Sequence, residues 1–342
     1  MNYAEELIKW YNENKREMPW RNTRDPYCIW VSEVMLQQTQ VDTVIPYYER
    51  FIERFSTPTH LAEASEEEVY QYWQGLGYYR RAKNLHNGAK MIVEQYDGIF
   101  PNNPKLAKEI PGIGPYTLGA VMSIAFDIPL PAVDGNVMRI LSRQFLIDED
   151  IAKAKSRKVF EEKVIELMPH DPNRFNQALM ELGATICTPR NPKCTVCPVQ
   201  QLCQGYSEGV MLEYPVKSKK GQQVEEYYDA LVILKEGKLF IQKREESGLL
   251  ANLWGLPLRH GEAWEQTKLN LTTIETLPCI KHIFTHKKWF MTPIIISYTE
   301  TFKSEMLEKL LEEGQFIAFE NIKDYPIGTA FTKIINQIVN RD

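Results

Sequence analysis

The stretch "IPGIGPYTLGAVMSIA", residues 110–125, combines a glycine-rich turn with the start of an apolar helix. Gly112 and Gly114 predict a tight turn because glycine adopts backbone conformations that other residues avoid, and Pro115 suits the first position of a helix. Such a turn presents backbone N–H groups at a helix N-terminus, where anions such as phosphate bind. A simple packing turn between two helices is the alternative. The segment "PKLAKEI" before the turn predicts another helix.

Further helices flank this unit on both sides. Up to about Cys203, amphipathic segments alternate with short Pro and Gly breaks, which indicates an all-α region. "EYPVKSKKGQQVEE" is polar and basic and is typical of a linker. We therefore predict a multidomain chain with a helical domain at 1–207, a linker at 208–225 and a smaller α+β domain at 226–342.

The predicted α+β domain has strands of period two and two helices. "YYDALVIL", "KLFIQKR" and "MTPIIISYTE" are strand-like, and "KEGK" between the first two predicts a hairpin turn. "FKSEMLEKLLEEG", residues 302–314, and "TAFTKIINQIVNRD", residues 329–342, predict helices.

Composition limits the classes of function. The net charge of −5 argues against a general electrostatic grip on nucleic acid, so any DNA contact must use local patches and backbone donors. The N-terminus lacks the apolar region of a signal peptide, and no apolar run approaches the length of a membrane span. We therefore expect a cytoplasmic protein without a membrane partner.

Glu33 is a single carboxylate inside an apolar run, "DPYCIWVSEVMLQQTQV", residues 25–41. Asp25 and Pro26 predict a helix start, and the apolar residues that follow cover almost every side of the helix. Burial should raise the pKa of Glu33, which makes it a candidate general acid near neutral pH. A partly exposed glutamate bonded to a neighbour is the alternative.

Four of the six cysteines fall within "CTPRNPKCTVCPVQQLC" with the spacing C-x6-C-x2-C-x5-C. In a reducing compartment, clustered thiols indicate metal ligands rather than disulfides. One compact loop suits a [4Fe–4S] cluster, whereas zinc sites more often use two separated C-x-x-C pairs. Zinc remains the alternative for Cys187, Cys194, Cys197 and Cys203.

Asp134 lies in "PLPAVDGNVMRILSR", directly before an amphipathic helix. An N-cap is the simplest role for an aspartate in this position. A catalytic role requires a partner acid and a reaction in which positive charge develops.

Together these motifs resemble the endonuclease III superfamily of DNA glycosylases, which carry a helix-hairpin-helix motif like "PGIGPYT". The segment "VDGNV" and the four-cysteine loop belong to the same superfamily resemblance. Other segments are similar to adenine DNA glycosylases of the MutY type, and the resemblance covers essentially the whole N-terminal domain: "MPWR", "WVSEVMLQQTQV", "GLGYYRRAKNL" and "FNQALMELGATICTPRNPKC". The resemblance implies an all-α helix-hairpin-helix glycosylase domain with an iron–sulfur loop.

The resemblance also implies roles for the two acids. Glu33 would protonate the target adenine at N7, and Asp134 would stabilise the oxocarbenium ion left on the sugar or bond to it transiently. Asn136 matches a residue that positions the aspartate. Tyr116 stands where glycosylases that also cut the backbone have a lysine that forms a Schiff base. Since tyrosine cannot do this, the resemblance implies base removal only, and the phenol could instead hydrogen-bond Asp134.

Other matched positions would contact DNA or the flipped base. Gln38 would enter the base stack, and Tyr78 would intercalate beside it. Gly112 and Gly114 would meet a phosphate through the hairpin. The positions that match the wall of the adenine pocket are Trp20, Arg21, Leu36 and Gln177.

The C-terminal part resembles a Nudix domain through "LLANLWGLPL". The residues that follow, "RHGEAWEQTKLNL", lack the glutamate cluster that holds Mg²⁺ in Nudix hydrolases. We therefore expect a binding module rather than a hydrolase, and the resemblance to the MutY type implies that it recognises 8-oxoguanine. Thr285 and His286 in "FTHKKW" match the Phe-Ser-His loop of the family, with Thr in place of Ser.

The leading hypothesis is a monomeric base-excision repair enzyme that removes adenine opposite 8-oxoguanine or guanine in double-stranded DNA, associated with the nucleoid. Alternatives are a bifunctional glycosylase and lyase for oxidised pyrimidines, a non-catalytic iron–sulfur protein that scans DNA, and a Nudix enzyme acting on free nucleotides.

Overall fold

The computed structural model describes residues 2–218, 221, 223–260, 272–298 and 310–339. These residues form two compact units. The helical unit comprises Met1–Ala64 and Arg80–Lys219, and the sheet unit comprises Ser65–Tyr79 and Lys220–Asp342. The boundaries predicted from the sequence at 207 and 225 remain predictions.

The helices of the described residues follow the predicted pattern of short segments separated by Pro and Gly breaks. They are α1 (Tyr3–Asn14), α2 (Pro26–Leu36), α3 (Val41–Arg54), α4 (Pro58–Glu63), α5 (Glu66–Trp73), α6 (Arg80–Tyr96), α7 (Pro104–Ala107), α8 (Pro115–Phe126), α9 (Gly135–Phe145), α10 (Arg157–Leu167), α11 (Pro172–Thr185), α12 (Gln204–Ser207) and α13 (Thr329–Val339). The sheet unit contains α5 and α13, and the helical unit contains the others.

Local sequence explains where α2 and α8 begin. The Asp25 side chain accepts from Tyr27 N at the start of α2, with Pro26 at the first position. Before α8, Gly112 has a φ of +87° and Gly114 is the N-cap. This places the predicted hairpin turn between α7 and α8.

The core of the helical unit combines α1, α9, α10 and α11 with residues of the cysteine loop. A second layer of contacts joins α2 to α8 and α8 to α11. Gly119 on α8 permits a close approach, because a Cβ there would lie 2.0 Å from the carbonyl oxygen of Pro131. The chain that leads to Asp134 therefore passes directly over α8.

The strands of the sheet unit are β1 (Val224–Lys235), β2 (Lys238–Lys243), β3 (Trp254–Gly255), β4 (Leu258–His260), β5 (Thr272–Thr276), β6 (Ile280–Ile283), β7 (Lys287–Ser297) and β8 (Gly314–Ala318). They form one mixed sheet of order β3-β2-β1-β7-β5, in which β4 pairs with β1, β6 with β7 and β8 with β2. The central pair, β1 and β7, is parallel, and the other pairs are antiparallel.

Both faces of the sheet carry apolar clusters. The larger cluster packs α13 against one face, and the smaller one includes Leu231, Ile233 and Leu310 on the other. The predicted α+β domain is confirmed. Residues 302–309 of the predicted helix at 302–314 lie outside the described residues. The same holds for residues 261–271, which make up most of the segment that lacks the glutamate cluster.

Helix α5 groups with the sheet unit, which the sequence pattern does not indicate. Two of its glutamates bond to residues of β2 and of the segment before β3. Glu67 Oε1 lies 3.0 Å from Lys243 Nζ, and Glu66 Oε1 lies 2.8 Å from Asn252 Nδ2. Gln71 also donates to the carbonyl of Asp324 at 2.7 Å.

Within the described residues, no helix is both long enough and apolar enough to span a bilayer.

Candidate active site

A cavity of about 1000 Å³ opens in the helical unit between α2, α8, α9 and α11. It collects most of the site residues predicted from the sequence. Those that line it are Trp20, Arg21, Glu33, Leu36, Gln38, Gly112, Gly114, Tyr116, Asp134, Asn136 and Gln177. The walls also contain Arg16, Gln37, Thr117, Arg157, Met180 and Glu181.

Glu33 is a buried acid of this cavity, with 4% of its surface exposed. The pKa of Glu33 is raised to about 7, chiefly by burial and also by the nearby charge of Asp134. The hydrogen bond from Tyr116 and the charge of Arg21 act in the opposite direction. Part of the Glu33 population therefore keeps its proton at neutral pH, which a general acid needs.

Tyr116 donates its phenol proton to Glu33 Oε2 at 2.6 Å. The expectation that this hydroxyl bonds to Asp134 is therefore wrong. Tyr116 lies in the first turn of α8, which packs against α2, so the phenol reaches the acid on α2. Burial, followed by the nearby charges of Glu33 and Asp134, raises the pKa of Tyr116. The phenol thus stays protonated as a donor.

Asp134 is the N-cap of α9, as the local sequence suggests. Its Oδ1 accepts from the backbone N–H groups of Asn136 and Val137 at 2.9 and 2.8 Å. Its Oδ2 accepts from Asn136 Nδ2 at 2.7 Å, and Arg139 Nη2 donates to Asn136 Oδ1 at 3.1 Å. These donors fix the orientation of the carboxylate.

An ion-pair cluster that the sequence analysis missed closes one wall of the cavity. Glu181, 1% exposed, accepts from Arg16 Nε at 2.7 Å and from Arg21 Nη2 at 2.7 Å. Burial by itself raises the pKa of Glu181, but the two arginines outweigh it and the net pKa is lowered. The position of Glu181 one helical turn after Gln177 is the signal that could have indicated it.

The polar residues after α2 form a short loop at the cavity mouth. Gln38 is exposed with a φ of +60°, a conformation that few residues other than glycine adopt. Arg81 Nη1 donates to the carbonyls of Val34, Met35 and Gln37 at 2.6–3.0 Å. A buried guanidinium therefore shapes the turn that presents Gln38.

The three other predicted wall residues differ in how firmly they are held. Trp20 is buried and packs edge-to-face on Tyr48, with ring centroids 5.2 Å apart. Leu36 is half-buried at the end of α2. Gln177 accepts from Tyr11 Oη at 2.9 Å through Oε1 and donates to Asn173 through Nε2.

Three residues that the sequence predicts to contact DNA lie in the sheet unit, namely Tyr78, Thr285 and His286. Tyr78 is 50% exposed with a φ of +51°. Thr285 and His286 are exposed in the turn between β6 and β7. Gln223 Nε2 donates to the carbonyl of Phe284 at 2.8 Å at the base of this turn. Their roles remain predictions.

Cys187, Cys194, Cys197 and Cys203 surround one small apolar cavity beside α9. Burial raises the pKa of Cys197 to about 12, and its thiol neighbours contribute. Four thiolates can therefore share this space only around a cationic group. Within the described residues, no three His, Cys, Asp or Glu side chains surround a single ion position. Four thiols around one apolar cavity fit an iron–sulfur cluster that carries a thiolate at each corner.

Comparisons with known proteins agree with this geometry. Residues 31–166 match the HhH-GPD superfamily of base excision DNA repair proteins, residues 187–203 the iron–sulfur binding domain of endonuclease III, and residues 229–337 the NUDIX domain. The match over the cysteine loop confirms the predicted iron–sulfur cofactor, a [4Fe–4S] cluster.

Whole-chain relatives are similar to most of this sequence. An adenine DNA glycosylase of Mus musculus is 36% identical over 84% of this chain and 68% of its own length. One from Buchnera aphidicola subsp. Acyrthosiphon pisum is 33% identical over 90% of this chain and 91% of its own. The solved structure of a thermostable thymine-DNA glycosylase superposes with a TM-score of 0.56 at 30% identity, covering 60% of this chain and 95% of that one.

Proposed function

The chain belongs to the adenine DNA glycosylase family, and we propose that it hydrolyses the N-glycosidic bond of adenine paired with 8-oxoguanine, or with guanine, in duplex DNA. The observation that carries the proposal is the cavity in which Glu33, with a pKa of about 7, shares the space with Asp134. A neutral acid and an oriented carboxylate in one cavity are what glycosidic cleavage requires.

The acid acts first on the leaving group. Protonated Glu33 donates its proton to N7 of the adenine, which withdraws electrons from the ring and weakens the bond between N9 and C1′ of the sugar. Tyr116, which donates to Glu33, stabilises the carboxylate that this transfer leaves behind. A general acid in this position is worth roughly a hundredfold to ten-thousandfold in rate.

The carboxylate acts next on the sugar. When the bond breaks, the electron pair leaves with adenine and positive charge develops at C1′ and the ring oxygen. Asp134, held by Asn136 and the N-terminus of α9, stabilises that charge or forms a transient ester with C1′. Water then adds to C1′, displacing the Asp134 carboxylate where the ester has formed, and its proton passes to the Glu33 carboxylate, which leaves an abasic site.

The product remains an unbroken strand. Backbone cleavage by this fold needs an amine that condenses with the sugar aldehyde, and residue 116 is a tyrosine whose phenol is bonded to Glu33. We therefore assign base removal only. Cys187, Cys194, Cys197 and Cys203 would hold the [4Fe–4S] cluster, which would cross-link residues 187–203, and no step of base removal passes through it.

Further contacts, at the cavity and in the sheet unit, define the DNA substrate in this proposal. Gln38 fills the gap left by the flipped adenine and Tyr78 intercalates beside it. Gly112 and Gly114 present backbone N–H groups to a phosphate. Thr285 and His286 recognise 8-oxoguanine on the opposite strand. We also propose that the protein acts as a cytoplasmic monomer.

The test uses a labelled duplex with adenine opposite 8-oxoguanine and compares the wild type with Glu33→Gln. We expect free adenine from the wild type only, and strand breaks only after alkali. Breaks before alkali would favour the bifunctional alternative. If the wild type binds the duplex with an intact cluster but releases no adenine, the proposed function is wrong.

A further inference from the structure

A chain of three hydrogen bonds runs from the backbone of α8 to the wall of the cavity. Asn173 Nδ2 donates to the carbonyl of Ile124 at 3.2 Å. Gln177 Nε2 donates to Asn173 Oδ1 at 2.6 Å, and the hydroxyl of Tyr11 donates to Gln177 Oε1 at 2.9 Å. Asn173 and Tyr11 are buried, whereas Gln177 faces the cavity.

The first bond determines the direction of the others. A backbone carbonyl only accepts, so Asn173 must present its NH₂ to Ile124 and its oxygen to Gln177. Gln177 must then present its NH₂ to Asn173, which turns its oxygen toward Tyr11. The backbone carbonyl of Ile124 therefore fixes the orientation of the Gln177 amide through Asn173. The same orientation results whichever way the nitrogen and oxygen of Gln177 are first assigned.

Gln177 keeps hydrogen-bonding capacity for a ligand. Its two described bonds use one of its two N–H groups and one of its two oxygen lone pairs. One donor and one acceptor, in a defined order, are left on a side chain that lines the cavity. Tyr11 supports this arrangement but does not determine it, because a hydroxyl can donate or accept.

We propose that Asn173 is a positioning residue that locks the Gln177 amide in the orientation that accepts adenine and rejects purines with an oxygen at C6. The proposal rests on the proposed function, since adenine is taken as the base in the cavity. It assigns selectivity to a buried residue that does not itself line the cavity.

The chemistry of the purine edge gives the discrimination. Adenine presents an N6–H donor beside the N1 acceptor on its Watson–Crick edge, and an amide with one free donor and one free acceptor pairs with both, while N7 takes the proton of Glu33. Hypoxanthine presents O6 as an acceptor and N1–H as a donor, so its Watson–Crick edge has the opposite order. An amide that can rotate accepts both bases, whereas a locked amide leaves unpaired groups against hypoxanthine.

The experiment measures adenine and hypoxanthine release from duplexes that carry either base opposite 8-oxoguanine. The readout is the ratio of the two kcat/KM values, because the intrinsic reactivities of the bases cancel between enzyme variants. We expect Asn173→Ala to lower the adenine-to-hypoxanthine ratio by about tenfold or more. Tyr11→Phe should keep the ratio within about threefold while it lowers both rates, since Asn173 still orients the amide.

Matched controls separate selectivity from stability. Asn176 is a buried amide on the same helix that donates to Ser123 Oγ and to the carbonyl of Leu130, so Asn176→Ala should lose stability with the ratio unchanged. Tyr3 on α1 donates to Gln144 Oε1 at 2.5 Å and serves as the control for Tyr11. Asn173→Asp can still accept from Gln177 and should retain the ratio.

Specific outcomes would overturn the inference. An adenine-to-hypoxanthine ratio that is unchanged in folded Asn173→Ala would do so. The same holds if the ratio falls as far in Asn176→Ala as in Asn173→Ala, or if it falls in Asn173→Asp. If Asn173→Ala does not fold, Asn173→Leu of similar volume gives the same comparison. A wild type that releases neither base would refute the proposed function, and a wild type that removes both equally would refute only this inference.

Discussion

The hydroxyl of Tyr116 lies 2.6 Å from Oε2 of Glu33 and donates to it, which couples the first turn of α8 to the buried acid of α2. Burial raises the pKa of Glu33 and this bond lowers it, and the resulting pKa is about 7. The balance of these two effects keeps the pKa of Glu33 close to neutral pH, where a general acid is effective.

The first prediction concerns the pH dependence of adenine release. Because Glu33 must be protonated to act, we expect the single-turnover rate to be constant at acidic pH and to fall as pH rises through about 7. The measurement uses enzyme in saturating excess over the mispaired duplex. Glu33→Gln should retain only a low rate without this dependence. A wild-type rate that is flat from pH 6 to 8.5 would contradict the assignment of Glu33.

The second prediction isolates the contribution of Tyr116. Tyr116→Phe removes a donor that stabilises the carboxylate of Glu33, so the pKa of Glu33 should rise further. The alkaline limb of the rate profile should therefore move to higher pH, even if the maximal rate is lower. A limb that moves to lower pH would mean that the phenol does not act as a donor to Glu33.

The third prediction follows from linkage between protonation and folding. The pKa of Glu33 is raised from 4.5 in the unfolded chain to about 7 in the folded protein, so the folded state binds the proton more tightly. The stabilisation is fully present below pH 4.5 and is lost as pH rises through 7, which amounts to about 3 kcal/mol.

Glu33→Gln should therefore unfold at higher denaturant concentration than the wild type at pH 8. The difference should shrink as the pH is lowered toward 4.5. Urea titrations of both proteins across this range provide the measurement. A variant that is less stable than the wild type at pH 8 would show that Glu33 makes stabilising contacts beyond those described.

The fourth prediction concerns the cysteine loop. Cys194→Ser removes one of four thiols around the cavity beside α9, and we expect loss of iron, loss of the visible cluster absorbance and a lower melting temperature. Cys279→Ser is the matched control, since Cys279 is exposed in the sheet unit. Equal iron content in the two variants would rule out Cys194 as a ligand.

Several features could be predicted from residues close together in the sequence. The four cysteines lie within seventeen positions, the hairpin turn follows from Gly112 and Pro115, and the burial of Glu33 follows from the apolar residues around it on one helix. Turn chemistry, helix caps and helical periodicity act over a few residues, so these elements are readable without knowing how the helices pack.

Other relationships depend on how distant helices meet. Tyr116 bonds to Glu33 rather than to Asp134, Glu181 joins Arg16 and Arg21 across about 160 positions, and Tyr11 reaches Gln177 over a similar distance. Each pair comes from two elements whose relative placement is decided by core packing between helices. The sequence alone determined which chemical groups the cavity contains, and only the tertiary structure decided which group bonds to which, because a shift of one helix by a single turn would exchange those partners.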